Sequence, residues 1–351
     1  MDNLLISIIE EDAAKVAAAT SLRTLAGKTI LLTGASGLLG IHFLAVLREV
    51  SRQGYAPKSV TAVVHSKPDD HFKFFLDFKG AKKVQGDLTD LNFIKRLGKF
   101  DYIIYAAGYG QPGRFMQDPV RTLKLNTATV LALFDHLAAG GRFLFVSSAE
   151  VYSGLPNPPY KETQMGSTNT THPRSCYIEG KCCGEAICNA YRDRGIQASS
   201  ARLALAYGPG TKPGDRRVIN SFIERGITQG KITLQDMGIA KRTYCYVSDA
   251  VEILCHILLN GKEPVYNVGG FSRITIAQLA KEIGHYLNVP VEFPADAREL
   301  GGAPEDVSLD MSLAENEFRK TQYVPFDEGL IKTIKWQKAL YAGVSQPKDK
   351  K

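Results

Sequence analysis

The residues of this sequence best suited to proton transfer are Tyr177 and Lys181. They form the only Tyr-x-x-x-Lys spacing in the 351-residue chain. On a helix, residues four apart lie on one face, so the lysine ammonium would lie near the phenol. A nearby cation favours the phenolate and lowers its pKa from an ordinary value of about 10. The pair is therefore a candidate general base for a sugar or alcohol hydroxyl, provided that the surrounding elements hold it in an active site.

The segments around this pair predict a parallel sheet. Apolar strands alternate with helical stretches, which is typical of a sheet covered on both faces. The predicted strands are residues 28–33, 59–64, 81–86, 101–107, 142–147 and 197–205, and the helical stretches include 41–50 and 118–139. The fold class is therefore α/β, a Rossmann-type doubly wound parallel sheet. Beyond about residue 207, short elements and Gly-Pro loops predict a smaller C-terminal substrate-binding lobe.

The same pattern divides the chain into four segments. Residues 1–27 are predicted to be an N-terminal helical extension, amphipathic rather than a signal peptide, and residues 28–206 an NAD(P)-binding Rossmann domain. Residues 207–342 would form most of the substrate-binding lobe, either separate from the first domain or interleaved with it. Residues 343–351 are a basic tail that we expect to be disordered.

The composition excludes several classes of protein. Apolar residues make up 44% and charged residues 23% of the chain, and apolar stretches are broken before the length of a membrane span. The seven histidines are scattered and the six cysteines include no Cys-x-x-Cys pair, so we predict no metal site and reduced thiols, as in the cytoplasm. The net charge of +7 comes without an arginine-rich run, which favours a small phosphorylated ligand over nucleic acid.

A glycine-rich turn follows the first predicted strand. It reads Gly34-Ala-Ser36-Gly37-Leu38-Leu-Gly40 and leads into a helix. Such a turn lets backbone N–H groups approach a pyrophosphate at the positive end of the helix. The turn therefore predicts a dinucleotide cofactor.

The choice between NAD and NADP stays open in the sequence. The second strand ends Val64-His65-Ser66-Lys67, without the carboxylate that usually binds the ribose hydroxyls of NAD. Ser66 and Lys67 could contact a 2′-phosphate, which favours NADP; alternatively, Lys67 is only an exposed charge. Asp87, after the third strand, could bind the adenine amino group or cap a turn.

Several motifs together resemble a known family. GASGLLG, GDL, YAAG, SSAEVY, YIEGK and YCYVSD occur in the order found in extended short-chain dehydrogenase/reductases, over residues 28–340. The nucleotide-sugar epimerase/dehydratase branch is the more similar part of that family. The stretches 172–181, 207–210 and 215–218 resemble UDP-glucuronate decarboxylases and bacterial relatives in surface-polysaccharide gene clusters.

The resemblance implies a role for each matching residue. Tyr177 would be the base, Lys181 would hold the nicotinamide ribose and lower the pKa of the phenol, and Ser148 would bind the sugar 4-hydroxyl. Hydride would then pass between sugar C4 and the nicotinamide. Arg174, Arg217 and Arg242 would bind the nucleotide sugar, unless they are surface charges. The remaining implied cofactor contacts are Leu88, Ala106, Ala107 and Asn126.

The residues after Ser148 determine which reaction follows C4 oxidation. Related 4,6-dehydratases carry Thr-Asp-Glu where this chain has Ser148-Ala149-Glu150, so the proton donor to a leaving hydroxyl is missing. UDP-glucuronate decarboxylases also keep this glutamate, but Ser usually precedes it. They carry an arginine in the region corresponding to residues 303–310, which is absent here, and an Asn where this chain has Leu205.

Three hypotheses follow. The first is a C4-epimerase or a 4-ketosugar reductase that uses NAD or NADP. The second is a lyase, either a UDP-glucuronate decarboxylase or an atypical 4,6-dehydratase that uses Glu150. The third is a non-catalytic NAD(P)-binding sensor. By the same resemblance we expect a cytoplasmic homodimer, paired through the helix bearing Tyr177 and the helical stretch 118–139.

Overall fold

The computed structural model describes residues 3–295 and 306–342, and its largest element is a seven-stranded parallel sheet. The strands of the described residues are β1 Thr29–Thr33, β2 Ser59–Val64, β3 Ala81–Gln85, β4 Phe100–Tyr105, β5 Leu137–Ser148, β6 Gln197–Leu203, β7 Leu205–Tyr207, β8 Ile232–Thr233, β9 Lys241–Tyr246, β10 Val265–Val268, β11 Ser272–Thr275 and β12 Val291–Glu292. The large sheet has the order β10-β6-β5-β4-β1-β2-β3, and every neighbouring pair is parallel.

Helices cover both faces of this sheet, as the apolar strands require. They are α1 Asn3–Ala19, α2 Leu38–Arg52, α3 Asp70–Leu76, α4 Leu91–Lys95, α5 Pro112–Phe115, α6 Pro119–Asn126, α7 Ala128–Phe134, α8 Ser175–Arg192, α9 Val218–Gln229, α10 Val247–Asn260, α11 Ile276–Leu287, α12 Ser312–Phe318 and α13 Phe326–Leu340. Two short 3-10 turns lie at Leu22–Leu25 and Ala149–Tyr152. The Rossmann-type α/β prediction is confirmed. None of the described helices has the length and apolar character needed to cross a membrane.

The strand order reverses beside β1, which lies between β2 and β4. In open parallel sheets this reversal leaves a crevice beyond the carboxyl ends of the strands, and ligands bind there. The ends of β1, β2, β3, β4 and β5 all reach this edge. They carry the glycine turn, His65, Asp87, Ala106 and Ser148 respectively.

Two predicted elements are divided in the structure. The helical stretch 118–139 is two helices, α6 and α7, because Thr127 between them has the non-helical backbone angles φ −125° and ψ −81°. Strand β5 starts at Leu137, before the predicted start at residue 142. Its pairing with β4 changes register between Phe100 and Tyr102. The strand predicted over 197–205 ends at Leu203, and the chain then enters β7 of a second sheet with the order β11-β9-β7.

Helix α1 is part of the core. It packs on α2, α10 and α13, and its apolar side chains belong to the main hydrophobic cluster. Its fully buried Asp12 accepts a hydrogen bond of 2.7 Å from the Tyr246 hydroxyl and pairs with Lys332 Nζ at 3.0 Å. This helix is therefore fixed to residues more than two hundred positions away.

Candidate active site

Ser148 and Tyr177 meet at the carboxyl edge of the sheet. Ser148 is the last residue of β5, and Tyr177 lies in the first turn of α8. The Ser148 hydroxyl is close enough to the phenol to act on its pKa, and the Ser148 oxygen accepts the backbone N–H of Glu150 at 3.2 Å. The sequence predicted both residues, and the structure brings them together.

The ring of Tyr177 is covered by Phe115 of α5. The two rings are stacked with 4.5 Å between centroids and an angle of 8°. Burial raises the pKa of Tyr177 to about 12, while the neighbouring Ser148 hydroxyl and the charges of Arg174 and Arg217 act in the opposite direction. The prediction that the phenol has a lowered pKa is therefore wrong in this structure. The sequence did not reveal Phe115, because a contact 62 positions away has no spacing signal.

Lys181 is buried beneath this tyrosine. Its Nζ donates to the Val146 carbonyl at 2.8 Å and lies 5.7 Å from the centroid of the Tyr177 ring. Burial lowers the pKa of Lys181 to about 7, although the charge of the nearby Glu185 carboxylate acts in the opposite direction. The hydrogen bond of Lys181 goes to this carbonyl and not to the phenol, and the charges that lower the pKa of Tyr177 in this structure are those of Arg174 and Arg217.

A buried ion pair lies one helical turn beyond Lys181. Glu185 of α8 pairs with Arg202 of β6 at 2.8 Å, and the Ser147 hydroxyl donates to the same carboxylate at 2.5 Å. Arg202 also donates to the Tyr152 hydroxyl at 3.0 Å, and that hydroxyl donates to Asn267 Oδ1 at 2.7 Å. This network holds α8 against the end of β5 and therefore fixes the position of Ser148 relative to Tyr177.

Glu150 is bound by an arginine in the same site. Arg174 Nε donates to Glu150 Oε2 at 3.0 Å, and Arg174 Nη2 pairs with Oε1, so the contact is bidentate. The Arg174 guanidinium also lies 5.8 Å from the centroid of the Phe115 ring. The predicted catalytic carboxylate and the predicted substrate-binding arginine are thus partners of one another.

The other two predicted arginines lie on the same side of the site. Arg217 Nη2 pairs with Asp215 at 2.6 Å, and its Nη1 donates to the Ala206 carbonyl at 3.1 Å. Arg242 Nη1 donates to the carbonyl of Lys241 at 2.7 Å. Burial and the neighbouring charge of Arg174 lower the pKa of Arg242, while Glu150 raises it. Arg174 therefore binds Glu150, and Arg242 is close enough for its pKa to be affected by the same carboxylate.

The glycine turn fits a pyrophosphate. Gly34 has a φ of +65°, and a Cβ there would lie 2.4 Å from the Ala106 carbonyl oxygen. Gly37 is the N-cap of the fifteen-residue helix α2, and a Cβ at Gly40 would lie 2.4 Å from the Gly34 carbonyl oxygen. Only glycine can make these close approaches. The half-buried Ser36 and Leu38 complete the turn.

The Thr33 hydroxyl ties the turn to the end of β4. It accepts the backbone N–H groups of Ala106 and Ala107, each at 3.2 Å. Asn126 of α6 is buried against α8, where a Cβ on Gly180 would lie 3.2 Å from the Asn126 Cβ. The Asn126 Oδ1 is buried without a hydrogen-bond partner among the described residues. Ala106 and Ala107 are therefore neighbours of the glycine turn, while Asn126 lies against the helix that carries Tyr177.

The predicted contacts at the adenosine end lie beyond β2 and β3. Ser66 and Lys67 are exposed. Asp87 accepts hydrogen bonds from the Thr89 N–H and hydroxyl, both at 2.8 Å, as a turn-capping residue does. Leu88 is buried. Asp87 also pairs with Arg121 at 2.8 Å, an arginine that the sequence did not single out.

The part of the chain that the structure describes holds no group of three His, Cys, Asp or Glu side chains that could bind a metal ion. Within that part, the candidate chemistry is carried by Ser148, Tyr177 and Lys181, with Glu150 and the arginines beside them.

Comparison with known proteins places this site in a family. Residues 30–269 match the model of the NAD dependent epimerase/dehydratase family. UDP-glucuronic acid decarboxylase 6 of Arabidopsis thaliana is 28% identical over 84% of this chain and 90% of its own length. UDP-glucuronic acid decarboxylase 1 of Xenopus tropicalis is 27% identical over 88% of this chain and 71% of its own length.

Solved structures show the same fold. The dTDP-glucose 4,6-dehydratase DesIV of Streptomyces venezuelae, with NAD bound, has a TM-score of 0.76 at 22% identity and covers 90% of this chain and 98% of its own. UDP-glucose 4-epimerase of Thermotoga maritima has a TM-score of 0.75 at 24% identity. The match covers 89% of this chain and 99% of that protein's own chain. The matched region is most of the chain and includes the glycine turn, Ser148, Tyr177 and Lys181. The chain is thus an enzyme of the NAD-dependent epimerase/dehydratase family.

Proposed function

We propose that this enzyme oxidises UDP-glucuronate at C4 and then releases the sugar carboxylate as carbon dioxide, leaving a UDP-pentose. The observation that carries the proposal is the arrangement of Ser148, Tyr177, Glu150 and Arg174, in which Ala149 replaces a proton donor. NAD, when bound, takes the C4 hydride and returns it. The fit of the glycine turn to a pyrophosphate supports this role for the cofactor.

Tyr177 and Ser148 would handle the C4 hydroxyl. The two hydroxyl groups lie side by side at the carboxyl edge, where the sugar hydroxyl would give up its proton to the phenolate. A phenol with a pKa of about 12 is rarely ionised at neutral pH, so the positive charges around it must favour the phenolate during the reaction. Arg174 and Arg217 act in this direction, and Lys181 lies beneath the ring.

Loss of carbon dioxide suits a site without an acid at position 149. In a 4-keto uronate the C5–C6 bond breaks, and its electron pair becomes an enolate on the C4 oxygen, where Tyr177 and Ser148 can donate hydrogen bonds. A proton from the medium then adds to C5. No leaving hydroxyl needs a proton, whereas a 4,6-dehydratase must supply one. The cationic side chains of Arg174 and Arg242 suit a substrate carboxylate, and both curated relatives described above are UDP-glucuronic acid decarboxylases.

C4-epimerisation is the second candidate. The stretch 303–310, of which residues 303–305 lie outside the described residues, contains no arginine. This departs from the decarboxylase pattern. An epimerase would use the same Ser148 and Tyr177 to form the 4-keto sugar and would return hydride to the opposite face.

The test is incubation of the purified enzyme with UDP-glucuronate, followed by mass spectrometry of the nucleotide sugars and measurement of released carbon dioxide. We expect a UDP-pentose in equal amount to the carbon dioxide. Tyr177→Phe should abolish both, and the matched control Tyr286→Phe, on α11, should not. Interconversion of UDP-hexoses without carbon dioxide would instead support the epimerase, and unchanged turnover in Tyr177→Phe would remove the catalytic assignment.

We also propose that the enzyme is a cytoplasmic homodimer paired through α6, α7 and α8. Val120 and Leu131 are 62% and 47% exposed on α6 and α7, which is unusual for a pair of large apolar side chains on adjoining helices. The six cysteines are free thiols, as a reducing compartment maintains. Sedimentation should give a dimer at micromolar concentration, and Leu131→Glu should give a monomer. A monomeric wild-type enzyme would contradict the pairing.

A further inference from the structure

The end of the dinucleotide site beside β2 carries positive charge. A carboxylate after the second strand normally binds the ribose hydroxyls of NAD, whereas an arginine nearby accommodates the 2′-phosphate of NADP. In this chain His65, Ser66 and Lys67 follow β2, and all three side chains are exposed at the carboxyl edge. The residue types at this position therefore depart from those that recognise an unmodified ribose.

The nearest carboxylates along the chain already have partners. Asp69 is the N-cap of α3 and accepts the Phe72 N–H at 2.9 Å. Asp70 pairs with Lys73 Nζ at 2.7 Å. Neither one is therefore available as the missing ribose ligand without giving up a contact that holds α3.

An arginine from another element lies beside His65 at the end of β2. Arg121 of α6 places its Nη2 at 3.0 Å from His65 Nε2 and at 2.8 Å from Asp87 Oδ1. It thus connects the end of β2, where the ribose of a dinucleotide is usually bound, with the end of β3. The contact with His65 joins residues 56 positions apart, so the sequence alone gave no sign of it.

Arg121 also has an unused donor. Its Nε is buried and has no hydrogen-bond partner among the described residues. A buried donor without an acceptor is rare and destabilising, so it indicates a place for an acceptor. Asp87 offsets part of the positive charge of Arg121, but Lys67 adds a second cation that makes no ion pair with any described residue.

We infer that this end of the site binds a 2′-phosphorylated ribose, so that the enzyme takes NADP at least as tightly as NAD. The planar fork of Arg121 suits phosphate oxygens, and the Lys67 ammonium and Ser66 hydroxyl are further donors. The matching family is described as NAD dependent, and this chain departs from the usual NAD-binding pattern in the residues after β2, which lie beside the ribose. The inference rests on the dinucleotide site and not on the proposed decarboxylation.

The test is equilibrium binding of NAD and NADP to the full-length protein freed of bound nucleotide, measured by calorimetry. The smaller probes 5′-AMP and 2′,5′-ADP report on the same end of the site without turnover. We expect NADP to bind at least as tightly as NAD, and 2′,5′-ADP to bind about tenfold or more tightly than 5′-AMP, with an advantage that shrinks as salt is added.

Variants identify the residues responsible. Lys67→Ala and Arg121→Gln should each weaken NADP binding about tenfold and leave NAD binding nearly unchanged, and His65→Asp should favour NAD over NADP. Lys95→Ala, an exposed lysine on α4, is the matched control and should change neither affinity. The inference is overturned if NAD binds more than about tenfold tighter than NADP, or if Lys67→Ala and Arg121→Gln leave NADP affinity unchanged. Either result would leave the reaction with UDP-glucuronate untouched.

Discussion

Two buried lysines of this enzyme have opposite surroundings. Lys181 and Lys320 are each only 4% exposed. Lys320 Nζ lies 3.0 Å from Asp249 and 3.0 Å from Glu252. Lys181 Nζ donates to the Val146 carbonyl, and no carboxylate of the described residues forms an ion pair with it. A buried cation with two carboxylates has its charge compensated within the fold, whereas one with only a carbonyl keeps N–H donors for a ligand.

The largest expected difference between them is in catalysis. Lys181→Met should lower turnover by about 10²–10⁴-fold, because the variant loses the buried ammonium that would hold the nicotinamide ribose beside the general base Tyr177. The unfolding free energy should stay the same or rise, since a methionine in this buried slot carries no charge to desolvate. Steady-state kinetics and urea unfolding of the same preparation measure both quantities. A destabilised but active Lys181→Met enzyme would contradict the functional assignment.

Lys320→Met should show the reverse pattern. Removing one partner of a buried ion pair leaves uncompensated charge, so the unfolding free energy should fall by about 3–5 kcal/mol. Turnover per folded molecule should change little, because Lys320 binds α10 and not the active site. The check is urea unfolding together with activity corrected for the folded fraction. Loss of turnover without loss of stability would show that the two lysines do not differ as described.

The pH dependence of stability should distinguish the same two sites. The folded-state pKa of Lys181 is lowered to about 7, below its ordinary value of 10.5. Between these two values the unfolded chain binds more protons than the folded chain, so this group makes stability rise with pH across that window. We expect the increase in unfolding free energy from pH 7 to pH 9 to be smaller by about 2 kcal/mol in Lys181→Met than in the wild type. Identical rises would contradict the lowered pKa.

The smallest effect is expected for Glu252→Gln. This change removes one of the two carboxylates that contact Lys320 and keeps Asp249, so the ammonium is still paired. The unfolding free energy should fall by about 1 kcal/mol, the usual size of one hydrogen-bonded contact. Thermal unfolding measures this loss of stability, and enzyme activity serves as the control. A loss as large as that of Lys320→Met would mean that Glu252 alone compensates the charge.

The sequence predicted the parts of the site that are local in the chain. The glycine turn, the serines at the end of β5 and the Tyr177–Lys181 spacing each occupy a few adjacent residues, so a pattern reveals them. The stacked Phe115, the Glu185–Arg202 pair and the position of Arg121 were not predictable, because each depends on a contact between distant segments. The pKa of Tyr177 was predicted in the wrong direction for the same reason, since its burial comes largely from other elements.

The bonds of Asp12 in α1 have a consequence for synthesis on the ribosome. Its partners, Tyr246 and Lys332, are made long after α1 itself. Until Lys332 has emerged, the nascent chain holds a helix whose carboxylate lacks the cation that compensates it, and such an intermediate exposes apolar surface to chaperones and to other chains. A helix that is translated before the other helices described here is therefore among the last to be locked in place.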